Sequence, residues 1–212
     1  MRIEEIGYSH LKEGFSNSSD ETTQGSDALL TFIIPSIGRP TLSRTIESLL
    51  NQHETNWRAI VMFDGVDPTI ESPDARITIM RMEKVGLLNH AGRVRNEAIR
   101  HATTDWIGFV DDDDTLTPDY MTHVNEHVKA DPDVIIFRMK LENRIVPSPE
   151  KKQFHVNDVG ISFCMKRSLC TDFPFHPSGT EDFDLLDRLR SAHKNIIMST
   201  HLTYRVRDVA LF

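Results

Sequence analysis

Cysteine is nearly absent. Cys164 and Cys170 are the only two, six positions apart. That spacing makes neither a C-x-x-C pair nor a Cys/His zinc pattern, which argues against a disulfide framework. Two reduced thiols suit a cytosol-like compartment, so a cytoplasmic location is expected. Long apolar runs are also missing. None approaches the roughly 18–20 residues of a membrane span, so no transmembrane segment is expected. Basic runs are missing too. Lys and Arg total 24 against 32 Asp and Glu, a formal net charge of −8. No Lys/Arg stripe points to a nucleic-acid partner. The acidic balance still permits anionic substrates, because a bound divalent cation reverses the local field.

What is present suits one globular domain: 212 residues, 39% hydrophobic and 26% charged. Residues 1–27 are rich in Ser, Thr, Asp and Glu and lack the apolar core of a signal peptide. They read as a polar N-terminal extension with one short helix around 3–13. Residues 28–212 read as the folded domain.

There the pattern alternates. Apolar runs at 28–36, 57–65, 76–82, 106–111 and 133–141 read as strands. Helical spacing at 40–52 (Leu42, Ile46, Leu49, Leu50), 89–102, 117–130 and 181–193 (Phe183, Leu186, Leu189) supplies the helices. Pro40 stands where a helix opens. Shorter strands are expected at QFHVND (153–158) and GISFCMKR (160–167), and a final strand or strand pair at 195–207. The alternation predicts an α/β fold with a mostly parallel central sheet flanked by helices. In such sheets ligands bind at the carboxyl ends of the strands. Those ends carry Pro35-Ser36, Asp64-Gly65 and Asp111 to Asp114.

WIGFVDDDDTLTPDY (106–120) sets the chemical question. Four adjacent carboxylates repel each other unless a cation joins them. Carboxylates are hard oxygen ligands, and Mg²⁺ commonly takes one or two of them plus water and phosphate. A blander role for Asp113 and Asp114 is to complement the following helix. Two enzyme classes place acids after a strand in this way. One is the haloacid-dehalogenase-like phosphatases, whose D-x-D-x-T motif is present as Asp111-x-Asp113-x-Thr115. Asp111 would then be the nucleophile, with Lys166 and GTEDFD (179–184) as further partners. The other is the nucleotide-sugar glycosyltransferases.

Four stretches favour the second. TFIIPSIGRPTL (31–42) resembles the V-I-I-P-x-Y-N-R opening of family 2 glycosyltransferases, and MFDGV (62–66) their second strand. GRVRNEAIRHATTDWIGFVDDDDTLTPDYM (92–121) is similar to their A-R-N helix and D-x-D strand, and SGTEDFDLLDRL (178–189) to their E-D-x-x-L-x-x-R-L. Order and approximate spacing agree over 29–207. The phosphatase pattern accounts only for the acids, and its nucleophile usually follows the first strand of a domain.

The resemblance implies a single Rossmann-like GT-A domain that moves a sugar, with inversion, from a nucleotide-sugar (a UDP-sugar favoured) to a saccharide or other hydroxyl acceptor. It implies a divalent cation, Mn²⁺ or Mg²⁺, on Asp113 and Asp111. It implies donor contacts from Pro35, Ile37, Arg39, Asp64, Arg93, Arg95, Asn96, Asp111, Asp112 and Glu181, with Asp182 as the acceptor's general base. Asp114 is left to serve the following turn. Ile37 stands where the family often has an aromatic residue, Gly38 where it has Asn, and Val94 where it has Ala. Many relatives add a metal-binding His in Y-R-x-H. Here TYRVR (203–207) puts Arg207 there, so His201 substitutes, that ligand is missing, or Arg207 pairs with the diphosphate. A transferase-like module that binds without turnover is a further alternative. Acceptor selection is expected in the irregular segment 142–180.

Overall fold

The computed structural model describes residues 28–85 and 91–207. The N-terminal extension and its expected short helix lie outside the described residues, as does the start of the helix expected from 89.

Among the described residues nine strands form one sheet: β1 (Leu30–Ser36), β2 (Trp57–Asp64), β3 (Ile77–Met82), β4 (Trp106–Phe109), β5 (Thr115–Leu116), β6 (Val134–Leu141), β7 (Arg144–Val146), β8 (Phe163–Lys166) and β9 (Ile196–Arg205). Their order is β3-β2-β1-β4-β8-β6-β9-β5, with β7 on β6. β3, β2, β1 and β4 pair in parallel. β8 is antiparallel to both β4 and β6, which turns β6 back into the common direction, and β9 runs parallel to β6. Only β5, β7 and β8 run against the rest.

β1 shows why the apolar runs became strands. All seven of its residues are buried, as a central parallel strand covered on both faces requires. The helices are α1 (Leu42–Leu50), α2 (Ala91–Ile99), α3 (Tyr120–His127) and α4 (Glu181–Ser191). α1 buries Leu42, Ile46 and Leu49, but Leu50 is left exposed and Thr45 is buried instead. α4 buries Leu185, Leu186 and Leu189. Phe183 stands beside that stripe and packs edge-on against Phe154. Asp182 precedes Leu185, Leu186 and Leu189 by three, four and seven positions, so it continues the buried stripe.

The strand expected at 153–158 does not form. Asn157 takes φ 68°, a left-handed conformation no strand accommodates. Asp158 closes the turn, its amide donating to His155 O at 3.0 Å. The structure adds two strands the pattern did not announce, β5 and β7, of two and three residues. At 195–207 one strand forms, β9, whose register against β6 slips twice, between Ile136 and Arg138 and between Arg138 and Met139. Among the described residues no helix is long and apolar enough to cross a membrane.

Candidate active site

Because β1, β2 and β4 are parallel, their carboxyl ends open at one edge of the sheet. A cleft of about 310 Å³ lies there. Pro35, Ser36, Ile37 and Arg39 line it from the end of β1, Asp64 from β2, and Asp111 to Asp114 from β4. Val94 of α2 and Arg207, just past β9, close its sides.

The four aspartates have different partners. Asp112 is buried at 1% exposure and accepts three hydrogen bonds from the β1 loop. They come from Ser36 Oγ at 2.7 Å, Ile37 N at 3.3 Å and Arg39 Nη1 at 2.5 Å. Its carboxylate is committed to shaping the loop. Asp113 pairs with Arg207 and lies 3.5 Å from Arg39 Nη1. Asp114 closes the turn, its amide donating to Asp111 O. Its carboxylate goes elsewhere: it accepts from Tyr204 Oη at 2.8 Å and Arg207 N at 2.9 Å. The Tyr204 hydroxyl also accepts from Asp111 N at 3.2 Å, so one phenol spans both ends of the tetrad. Asp111 pairs with Arg95 Nη2 at 2.5 Å. Burial, then repulsion from Asp111 and Asp113, pushes the Asp114 carboxyl up to about 7. α1 holds this loop from behind, Thr45 Oγ1 donating to Asp114 O at 2.8 Å.

Oxygens of Asp111, Asp113 and Asp114 all lie within 4.8 Å of one another. Crowded hard oxygens of one sign fit a Mg²⁺- or Mn²⁺-class ion. Arg207 donates to Asp113, so its guanidinium and an ion compete for that carboxylate. His201 is no substitute ligand. Its ring stacks on His123 of α3 with centroids 3.4 Å apart, in a separate cluster from the acids.

A second acidic group opens α4. Arg95 of α2 is buried, its side chain 3% exposed. Its guanidinium pairs with Glu181 and Asp111 and stands 3.7 Å from Asp182 Oδ1. It is an internal bridge and does not line the cleft. Asp182 Oδ1 is buried and has no hydrogen-bond partner among the described residues. Burial pushes the Asp182 carboxyl up to about 7, with Asp111 and Glu181 adding to the rise and Arg95 opposing it. Glu181 also accepts from Gly92 N at 3.2 Å. A Cβ at Gly92 would fall 2.8 Å from Phe175 Cβ and 2.9 Å from Glu181 Oε2, so glycine permits this contact between α2 and α4.

Other expected donor contacts are distributed differently. Ile37 is 41% exposed at the cleft. Asp64 lines it, with Oδ1 accepting from Val85 N at 2.8 Å. Asn96 faces away, exchanging bonds of 2.8 and 2.9 Å with the Phe175 backbone. Arg93 is exposed on α2 and outside the cleft lining. The sequence placed Ser36 at a strand end without a role and gave Tyr204 no role, because a lone hydroxyl carries no pattern. The phosphatase arrangement also fails. Lys166 pairs with Trp106, at the start of β4, and binds Asp131 at 2.7 Å. It sits at the end of the strand opposite Asp111.

A nine-stranded, largely parallel sheet with acids at the end of its fourth strand is the GT-A architecture, and solved glycosyltransferases share it. TarS 1-349 of S. aureus matches with TM-score 0.68 at 16% identity, over 84% of this chain and 60% of that one. The same protein has been solved with UDP-GlcNAc. The mannosyltransferase PcManGT from Pyrobaculum calidifontis, in complex with GDP-Man and Mn²⁺, matches with TM-score 0.65 at 16% identity, over 83% of this chain and 56% of that one. EpsH of Bacillus subtilis (strain 168), named as a glycosyltransferase, is 33% identical over 98 residues, 43% of this chain and 27% of EpsH. This chain thus spans only part of the length of each. The family model Glycosyl transferase family 2 matches residues 31–179. The chain belongs to that glycosyltransferase family.

Proposed function

We propose that the chain transfers a glycosyl group from a nucleotide-sugar to a hydroxyl acceptor, with Asp182 as general base and with inversion at the anomeric carbon. One observation carries this reading. A single buried guanidinium, Arg95, ties Asp111 on the cleft side to Glu181 and Asp182 on the other. Donor-side acids and a base candidate are thereby held in one rigid unit.

The cleft supports a nucleoside diphosphate. Asp64 offers a carboxylate to a base N–H, and Arg39 and Arg207 offer guanidinium donors to phosphate oxygens. A uracil base is favoured. Asp113 and Asp111, with Asp114, would hold a Mn²⁺ or Mg²⁺ ion, which supplies Lewis-acid stabilisation of a diphosphate leaving group when bound. Asp182 takes the acceptor's proton, and a carboxyl poised near 7 suits a base working near neutral pH. Attack from the face opposite the departing diphosphate inverts the centre. The acceptor side would be formed by α4 and segment 142–180.

The test is nucleoside diphosphate release from a panel of UDP- and GDP-sugars, with and without Mn²⁺, alongside calorimetric donor affinity. Release with a hydroxyl acceptor is expected, together with loss of metal-dependent donor affinity in Asp113→Ala. Donor binding without any release would support a non-catalytic module. Hydrolysis of an aryl phosphate blocked by Asp111→Asn would support a phosphatase.

A further inference from the structure

We propose a second metal site, distinct from the acidic cleft, in which His123 and Glu126 of α3 and His201 of β9 bind one Zn²⁺-class ion. Donor atoms of these three side chains lie within 4.8 Å of one another. Two imidazoles and a carboxylate are the ligand set of many three-residue zinc sites, with water in the fourth position. Nitrogen donors select against Mg²⁺ and Ca²⁺.

Two observations besides proximity point to an ion. First, both ring nitrogens of His123 face carboxylates, Nδ1 at 3.0 Å from Glu126 Oε2 and Nε2 at 3.2 Å from Asp119 Oδ2. Carboxylates accept only, so both contacts are satisfied when each nitrogen carries hydrogen or when a cation replaces one of them. An ion between Nδ1 and Glu126 leaves Nε2–H donating to Asp119. That is the carboxylate–histidine–metal arrangement which orients metal-binding imidazoles. Second, His201 lies on the disturbed part of β9. Ile136 pairs with Met198 and Arg138 with Leu202, so β9 carries two extra residues where β6 advances by two. Such bulges re-aim side chains and recur beside functional sites. Ser199 Oγ accepts from His201 N at 3.1 Å and fixes this turn. The His201 ring is stacked on His123 at 14° between planes; each nitrogen lone pair lies in its ring plane, so binding one ion requires the rings to rotate well out of parallel. His127, with rings 5.9 Å from His201, has Nε2 held by Ser199 Oγ at 2.9 Å and stays outside the set.

The ion would clamp α3 to β9. Tyr204, three residues beyond His201, and the Arg207 amide grip Asp114, so the clamp would brace the strand that steadies the catalytic acids.

The test uses untagged full-length protein, stripped with chelator, in an Asp113→Ala background that removes a ligand of the acidic cleft. Co²⁺ is titrated and its visible d–d absorption recorded, followed by Zn²⁺ displacement and unfolding midpoints with and without Zn²⁺. Saturable uptake of one ion per chain, with a four-coordinate spectrum and a raised midpoint, is expected. The His123→Ala/His201→Ala double variant should lose all three. Asp119→Asn should weaken Zn²⁺ about 10–100-fold. Uptake that never saturates, or that survives in the double variant, would overturn the site as an adventitious ion only.

Discussion

The acidic run after β4 and the acidic start of α4 face the same problem, carboxylates crowded into partly buried space, and they solve it differently. After β4 the charge is met locally. Arg39 and Arg207 reach Asp112 and Asp113, while a phenol and an amide hold Asp114. At α4 one guanidinium serves Glu181, Asp182 and the distant Asp111, and Asp182 receives the poorest share, at 3.7 Å. On the proposed function, the first group would hold a cation in place, and the second keeps one oxygen without a hydrogen-bond partner among the described residues, free to accept a proton.

Removing the uncommitted oxygen should have the largest effect. Asp182→Asn is expected to lower turnover about 10²–10⁴-fold while donor affinity by calorimetry stays unchanged; transfer at the parent rate would remove Asp182 from the base role. Next is the shared guanidinium. Arg95→Leu leaves Asp111, Glu181 and Asp182 without their common cation, and a loss of about 3–5 kcal/mol is expected in urea unfolding. Smaller is the effect of closing the gap between α2 and α4. Gly92→Ala forces Glu181 or Phe175 to move, at about 1–3 kcal/mol, and should reduce turnover more than donor affinity.

The pH profile separates the two groups most finely. Asp182 and Asp114 both titrate near 7 when folded, against an ordinary value of 3.8. Between those values the folded chain binds more protons than the unfolded one, so these two groups make stability fall from about pH 4 to about pH 7. Turnover should rise over the upper part of the same range as Asp182 ionises. A divalent ion should flatten the stability trend, since it favours ionised Asp114 but leaves Asp182 in place. An unchanged trend with Mn²⁺ would mean that Asp114 is not in the ion's field.

Much of this was legible in the chain. The buried strands announced themselves because a parallel strand covered on both faces must be mostly apolar, as β1 is and as β2 is between Arg58 and Asp64. The cleft residues were legible because they sit at or within a few positions of the carboxyl ends of those runs: Arg39, Asp64 and Asp111 to Asp113. Partner choice was not. Asp112 and Asp113 are adjacent and chemically identical, yet the first turns inward to Ser36 and the second toward Arg207. Nothing local distinguishes them, because the difference comes from the opposite strand ends. Arg95 read as a donor contact because it matches the A-R-N pair of the family it resembles, but its burial depends on α4, 86 positions later. Asp182 was named only through the E-D resemblance, and its place beside the buried stripe of Leu185, Leu186 and Leu189 emerges from α4 itself.

The three hydrogen bonds on Asp112 have one more consequence. By joining Ser36, the Ile37 amide and Arg39 to the end of β4, they make two strand termini a single rigid floor. A ligand settling there meets groups that are already aligned. The entropy of ordering them is then lost once, during folding, instead of in every catalytic cycle.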